Sequence, residues 1–108
     1  MTPEGKVKEA VKRLLTTYGA YWFCPVQNGM GDQALDFMHV QIVGLPVFAI
    51  ETKAPGKKLT KRQERTAQRI MSAGGMVFVV DGSTQELEEW LRLRMTLARS
   101  ESIPSDNA

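Results

Sequence analysis

Asp36, Glu51 and Lys53 are the residues of this 108-residue chain whose types and spacing could do chemistry. Glu51 and Lys53 close the run Val47-Phe48-Ala49-Ile50-Glu51-Thr52-Lys53, rich in residues that favour a pleated sheet. Side chains alternate along a strand, so Glu51 and Lys53 face one way and Thr52 the other. A carboxylate and an ammonium behind an apolar run are each costly to bury alone. Asp36 opens the preceding apolar run, Phe37 to Val43, and can converge on the same spot. Two carboxylates make a hard oxygen site suited to Mg2+ or Mn2+. A lysine beside them can steady a developing oxyanion or the attacking water. That is the equipment of a metal-dependent phosphodiesterase. Glu-x-Lys on a strand also has a plainer reading, a solvated pair worth about a few tenths of a kcal/mol.

The elements that must position these residues can be read in order. Thr2 to Tyr18 has helical spacing, with Val7, Val11, Leu14, Leu15 and Tyr18 on one stripe. Thr2 can cap it, Pro3 suits the first helical position, and Gly19 ends it. Glu4 is either a partner for the helix dipole or a support for a metal. Ala20 to Val26 is an apolar and aromatic strand with Pro25 near its end. Gln27 to Leu35 is a glycine-containing loop carrying Asp32, a competing carboxylate. Asp36 is preferred because it abuts the strand and is thereby fixed. The single histidine, His39, falls by alternation on the face opposite Asp36 and is assigned no role. Gly44-Leu45-Pro46 joins the two strands.

After Lys53 comes a turn, Ala54 to Leu59, then a helix from Thr60 to about Ala73, stopped by Gly74-Gly75. Thr60 and Gln63 have capping-box spacing. Ala67, Ile70, Met71 and Gly74 are expected to face the sheet. Between Lys53 and Arg69 lie seven basic residues, Lys53, Lys57, Lys58, Lys61, Arg62, Arg65 and Arg69, against the single acid Glu64. Such a run is either a solvated helix face or a track for a polyanion, and its place beside a carboxylate cluster favours the track. Met76 to Val80 reads as a buried strand. Ser83 and Glu86 suggest a capping box opening a third helix, with Leu87, Trp90, Leu91, Arg94 and Leu97 or Ala98 on one side. Trp90 reads as core.

The size fits a single domain with one modest core, and the composition is that of an ordinary globular protein. No run has the length of a membrane span and no secretory signal pattern is present, so the expected location is cytoplasmic. One cysteine, Cys24, excludes an internal disulfide and a cysteine zinc cluster, and it reads as a small core residue. A net charge of +2 decides nothing about nucleic acid by itself.

The order helix, strand, strand, strand, helix, strand, helix, carrying Asp36 … Glu51-Thr52-Lys53, resembles the PD-(D/E)XK nuclease superfamily. Within it the chain resembles the virus-type replication-repair nuclease (VRR-NUC) domain in its stand-alone phage form. Glu4, the glycine-containing loop before Asp36-Phe37, Ile50-Glu51-Thr52-Lys53, Leu59-Thr60-Lys61-Arg62-Gln63 and Gly74 to Val80 carry the closer likeness, across about Glu4 to Leu97. The family usually has a proline just before the metal-binding aspartate, where this chain has Ala34-Leu35. The resemblance implies an α/β, restriction-endonuclease-like, three-layer core with a mixed sheet flanked by helices. The domain would span residues 1–99, with a disordered tail over 100–108. It implies Mg2+ or Mn2+ held by Asp36, Glu51 and the Thr52 carbonyl, with Glu4 in support. Lys53 would orient or activate the water, and Gln63 would line the site. Lys57, Lys58, Lys61, Arg62 and Arg65 are the expected DNA contacts.

The expected function is a metal-dependent, structure-specific DNA endonuclease acting on branched DNA such as Holliday junctions, as a homodimer. Part of the dimer interface could come from Trp22, Phe23, Met30 and Met38, although core packing explains them equally well. If phage-encoded, the protein would work in the host cytoplasm. The rival readings are a non-catalytic DNA-binding or accessory module of the same fold, and an adaptor whose basic helix binds an acidic partner. Like-charge repulsion alone predicts that removing Asp36 or Glu51 would slightly stabilise the metal-free protein.

Overall fold

The computed structural model describes residues 1–26 and 34–102. The chain runs α1 (Pro3–Thr17), β1 (Tyr21–Phe23), β2 (Phe37–Gln41), β3 (Phe48–Lys53), α2 (Lys61–Ser72), β4 (Met76–Asp81) and α3 (Gln85–Ser102). It is an α/β protein with one four-stranded mixed sheet in the order β1-β2-β3-β4. β1, β2 and β3 are antiparallel neighbours. β4 lies parallel to β3, which the intervening α2 makes possible.

One face of the sheet carries the main core. Trp22, Val40, Phe48, Ile50 and Val80 pack there with Val7, Val11 and Leu15 of α1 and with Leu87 and Leu91 of α3. Trp90 closes that layer against Phe48 and Phe78, with ring centroids 5.3 and 4.8 Å away, as its reading as core requires. α2, whose buried residues are Gln63 and Ala67, packs against β4 and reaches the other face of β3 through the Gln63–Glu51 hydrogen bond. β3 is therefore buried at every position.

α1 forms as its sequence requires. Thr2 accepts a hydrogen bond from the Gly5 amide at 3.0 Å, and Pro3 occupies the first turn, where no donor is missed. The Thr60–Gln63 capping box is present in both directions. Before it, the Lys57 amide bonds to the Ala54 carbonyl at 3.0 Å, with Gly56 at φ 79, the positive value that the third residue of a type II turn needs. At the other end of α2, a side chain on Gly75 would meet Ile70 Cγ2 at 2.6 Å, so only glycine lets the chain turn there.

Several boundaries differ from expectation. β1 is confined to Tyr21–Phe23, because Pro25 has no amide to donate and restricts Cys24 before it. β2 stops at Gln41, where the chain turns and the Leu45 amide bonds to the Ile42 carbonyl. β4 is not a buried strand. It is the sheet's edge, with Val80 buried and Val79 exposed. Met71 and Gly74 are exposed rather than turned to the sheet, and Ile70 is half-buried. Ser83 accepts from the Gln85 amide two residues on, and the Glu88 amide bonds to the Thr84 carbonyl, so α3 starts one residue later than a Ser83 cap would place it. Leu97 is exposed, whereas Arg94 lies over the Trp90 ring. α3 continues through Ser102, since nothing in Ser100-Glu101-Ser102 breaks a helix. The rest of the expected tail, 103–108, lies outside the described residues, as do Met30 and Asp32.

Candidate functional site

Asp36 and Glu51 are interlocked where β2 begins and β3 ends. The Asp36 amide donates to Glu51 Oε1 at 2.9 Å. In return Asp36 Oδ2 accepts from the Thr52 amide at 3.0 Å and from the Thr52 hydroxyl at 2.6 Å. Each carboxylate thus secures backbone of the strand that carries the other. Gln63 completes the frame from α2. Its Oε1 accepts from the Thr60 amide, which fixes the amide's orientation, and its Nε2 donates to Glu51 Oε2 at 2.6 Å. The capping box that starts α2 therefore also aims a donor at the site.

Lys53 Nζ lies 3.7 Å from Glu51 Oε2, and the two residues are 9% and 3% exposed. Alternation along β3 puts them on one face, as the sequence suggested. Burial pushes the Glu51 carboxyl up to about 7, and the Asp36 charge pushes the same way. The Asp36 amide and Lys53 oppose that rise, and Glu4 adds to it slightly. Two carboxylates face one ammonium in a poorly solvated place, so the frame holds an excess of negative charge.

Glu4 sits exposed on the first turn of α1. Among the described residues no group of three or more His, Cys, Asp or Glu side chains is close enough to hold a metal. The charge of Glu4 nevertheless reaches the site, where it helps to raise the Glu51 carboxyl. Lys57, Lys58, Lys61, Arg62 and Arg65 are all exposed. Lys61, Arg62, Arg65 and Arg69 lie along one side of α2, and Gln63, Ala67 and Ile70 along the other. The basic stripe thus begins at the rim of the site and rises along the outer face of the helix.

Three features were not read from the sequence. The Thr52 hydroxyl holds Asp36, although alternation sends Thr52 toward the core; Asp36 precedes β2 and its carboxylate reaches across to it. Asp81 stands level with Lys53 in the parallel β3–β4 register and so shares its face. His39 does not lie opposite the site. The register shifts between Phe37 and Val40, which both enter the core, and the irregularity puts His39 on the Glu51 face. His39 is half-buried, hydrogen-bonded to Gln41 and edge-on to Tyr21. Cys24 packs beside the core, and burial raises its thiol pKa while Lys8 and Lys12 oppose the rise.

Compared with known protein families, characterised proteins and solved structures, the chain finds no match. No described helix is long and apolar enough to cross a membrane.

Proposed function

We propose that this chain is a metal-dependent DNA endonuclease of the PD-(D/E)XK type, VRR-NUC-like, on a restriction-endonuclease-like three-layer core. The observation that supports this reading best is the interlocked Asp36–Glu51 pair with Lys53 on the same face. The element order and the mixed sheet are compatible with that fold.

The donor set suits a hard divalent cation. A buried carboxylate whose charge is opposed by a second carboxylate is relieved by a cation, and oxygen donors favour Mg2+ or Mn2+. Asp36, Glu51 and the Thr52 carbonyl are the proposed ligands, with Glu4 in support. When bound, the ion supplies Lewis-acid activation of a water and charge stabilisation at the phosphate. The chain does the positioning. Thr52 fixes the Asp36 carboxylate, Gln63 fixes Glu51, and Lys53 places a positive charge where the pentavalent phosphate gathers negative charge. Lys57, Lys58, Lys61, Arg62 and Arg65 hold backbone phosphates on either side of the cut. One chain offers one such site, so symmetric cutting of a branched substrate calls for a homodimer. In that dimer Trp22 stays with the core layer it packs against.

Incubation with four-way, flapped, single-stranded and linear duplex DNA, each with Mg2+, Mn2+ or EDTA, tests the reading. Metal-dependent cutting of branched DNA is expected. Binding without cutting under any metal would favour a non-catalytic module.

A further inference from the structure

We infer that Tyr21 and Phe23 form a stacking platform for an unpaired nucleobase beside the candidate site. The inference rests on the nuclease reading above and deepens it by naming a feature of the substrate.

Residues paired across a ladder share a face. Trp22 pairs with Val40, and both belong to the core face. Tyr21 pairs with Gln41 and Phe23 with His39, so these four side chains take the opposite face. That is also the face of Glu51 and Lys53, since Phe48 and Ile50, which point to the core, take the alternate positions on β3. α2 packs on this side against β4, and its Gln63 reaches Glu51 on β3. Over β1 the face stays open, with Tyr21 64% and Phe23 52% exposed. Strand and residue spacings place Phe23 roughly 12 Å from Glu51 along the sheet surface.

The chemistry of this open half fits a base. Tyr21 presents an aromatic ring whose orientation is held by edge-on contact with His39, at 6.0 Å and 72°. His39 and Gln41, bonded to each other at 3.0 Å, add groups that can meet a base edge. None of the four side chains is acidic, so a phosphate chain crossing here meets no opposing charge. A duplex hides its ring faces inside the stack, whereas an unpaired nucleotide offers one to every aromatic surface. A second protein copy is the poorer occupant. Two aromatic side chains bury about 150–250 Å2 each, well short of the roughly 800 Å2 per partner of a stable interface. A strand whose phosphate sits at Asp36 and Glu51, with α2 on one side, leaves across β2 and β1 and lays its next bases on this platform.

The test is a binding measurement in EDTA, so that it does not depend on cleavage. Fluorescence anisotropy of a labelled single strand, a blunt duplex of the same length and a duplex with a short single-stranded flap is read for wild type, Tyr21→Ala, Phe23→Ala and Tyr21→Trp. Both sites are exposed, and a thermal melt checks the fold of each variant. Expected is about a tenfold or greater loss per alanine change for the single strand and the flap, little change for the blunt duplex, and recovery in Tyr21→Trp. Equal losses on all three probes, or no loss, would overturn the platform. So would a fall in light-scattering mass in the alanine variants, which would give the face to a second copy. A wild type that shows the single-strand preference yet cuts nothing with Mg2+ or Mn2+ sinks the nuclease reading and leaves the platform standing.

Discussion

Asp36 does more than contribute charge. It is the only acceptor described for the Thr52 hydroxyl and also takes the Thr52 amide. Asp36→Ala therefore leaves buried donors unmet and should destabilise the protein by about 1–3 kcal/mol, against the slight gain that charge repulsion alone suggests. Asp36→Asn keeps an acceptor in place. The informative set for activity is then Asp36→Asn, Glu51→Gln and Lys53→Met, each expected to lower cleavage at least a hundredfold while the circular dichroism spectrum stays native. Cleavage by Glu51→Gln at the wild-type rate would remove the assignment.

Glu51 also sets a pH dependence whose sign can be worked out. Its carboxyl is raised from 4.5 to about 7. Between those values the folded protein keeps a proton that the unfolded chain has released. The stability tied to this group is fully present below pH 4.5 and is lost as pH rises through 7. In EDTA, the melting temperature of wild type relative to Glu51→Gln should fall across that window. Mn2+ added above pH 7 should recover it, by binding only the folded form. A pH-independent difference between the two proteins would show that burial and the Asp36 charge do not act on Glu51 in this way.

At the scale of elements, much was legible because the signals are local. The Thr2 cap, the α1 stripe, the Pro55-Gly56 turn and the Thr60–Gln63 box each rest on neighbours a few residues apart, and each formed as read. The misreadings of β4 and of the β2 register depend on partners far away in sequence, whereas the Ser83 cap failed locally. Met76 to Val80 has the composition of a buried strand, but no local pattern says that no described strand pairs with its outer edge. The register shift in β2 is likewise invisible locally, and it moves His39 to the site face. Glu51 and Lys53 were legible from alternation alone, whereas the Thr52 hydroxyl bond needs the start of β2 placed beside the end of β3. The stripe on α2 carries its own prediction. If Lys61 and Arg65 touch phosphates, changing both to alanine should weaken binding similarly for all DNA sequences. It should also reduce the slope of log K against log salt by about one unit per lost contact. An unchanged slope would place the DNA on another surface.

At the scale of the molecule, the constraint is number. A single chain holds one Asp36–Glu51–Lys53 frame, which under the proposed nuclease function would cut one strand. A domain of this size also offers one basic stripe, too little surface to embrace the arms of a branched DNA unaided. Two copies related by a two-fold axis present two frames at a fixed separation, which matches the two-fold symmetry of a four-way junction. The axis has to leave the shared face of Tyr21, Phe23, Glu51 and Lys53 free in both copies, because that face is where the strand is proposed to run. Light scattering should therefore give twice the chain mass both with and without DNA. On an immobile junction labelled in turn on each strand, nicks should appear at symmetry-related positions on two opposing strands. In dimers mixed from wild type and Glu51→Gln, one nick should remain and the paired product should vanish. A protein that stays monomeric, or that trims single-stranded ends and leaves the junction whole, would be compatible with the proposed metal site but not with the paired geometry that resolution requires.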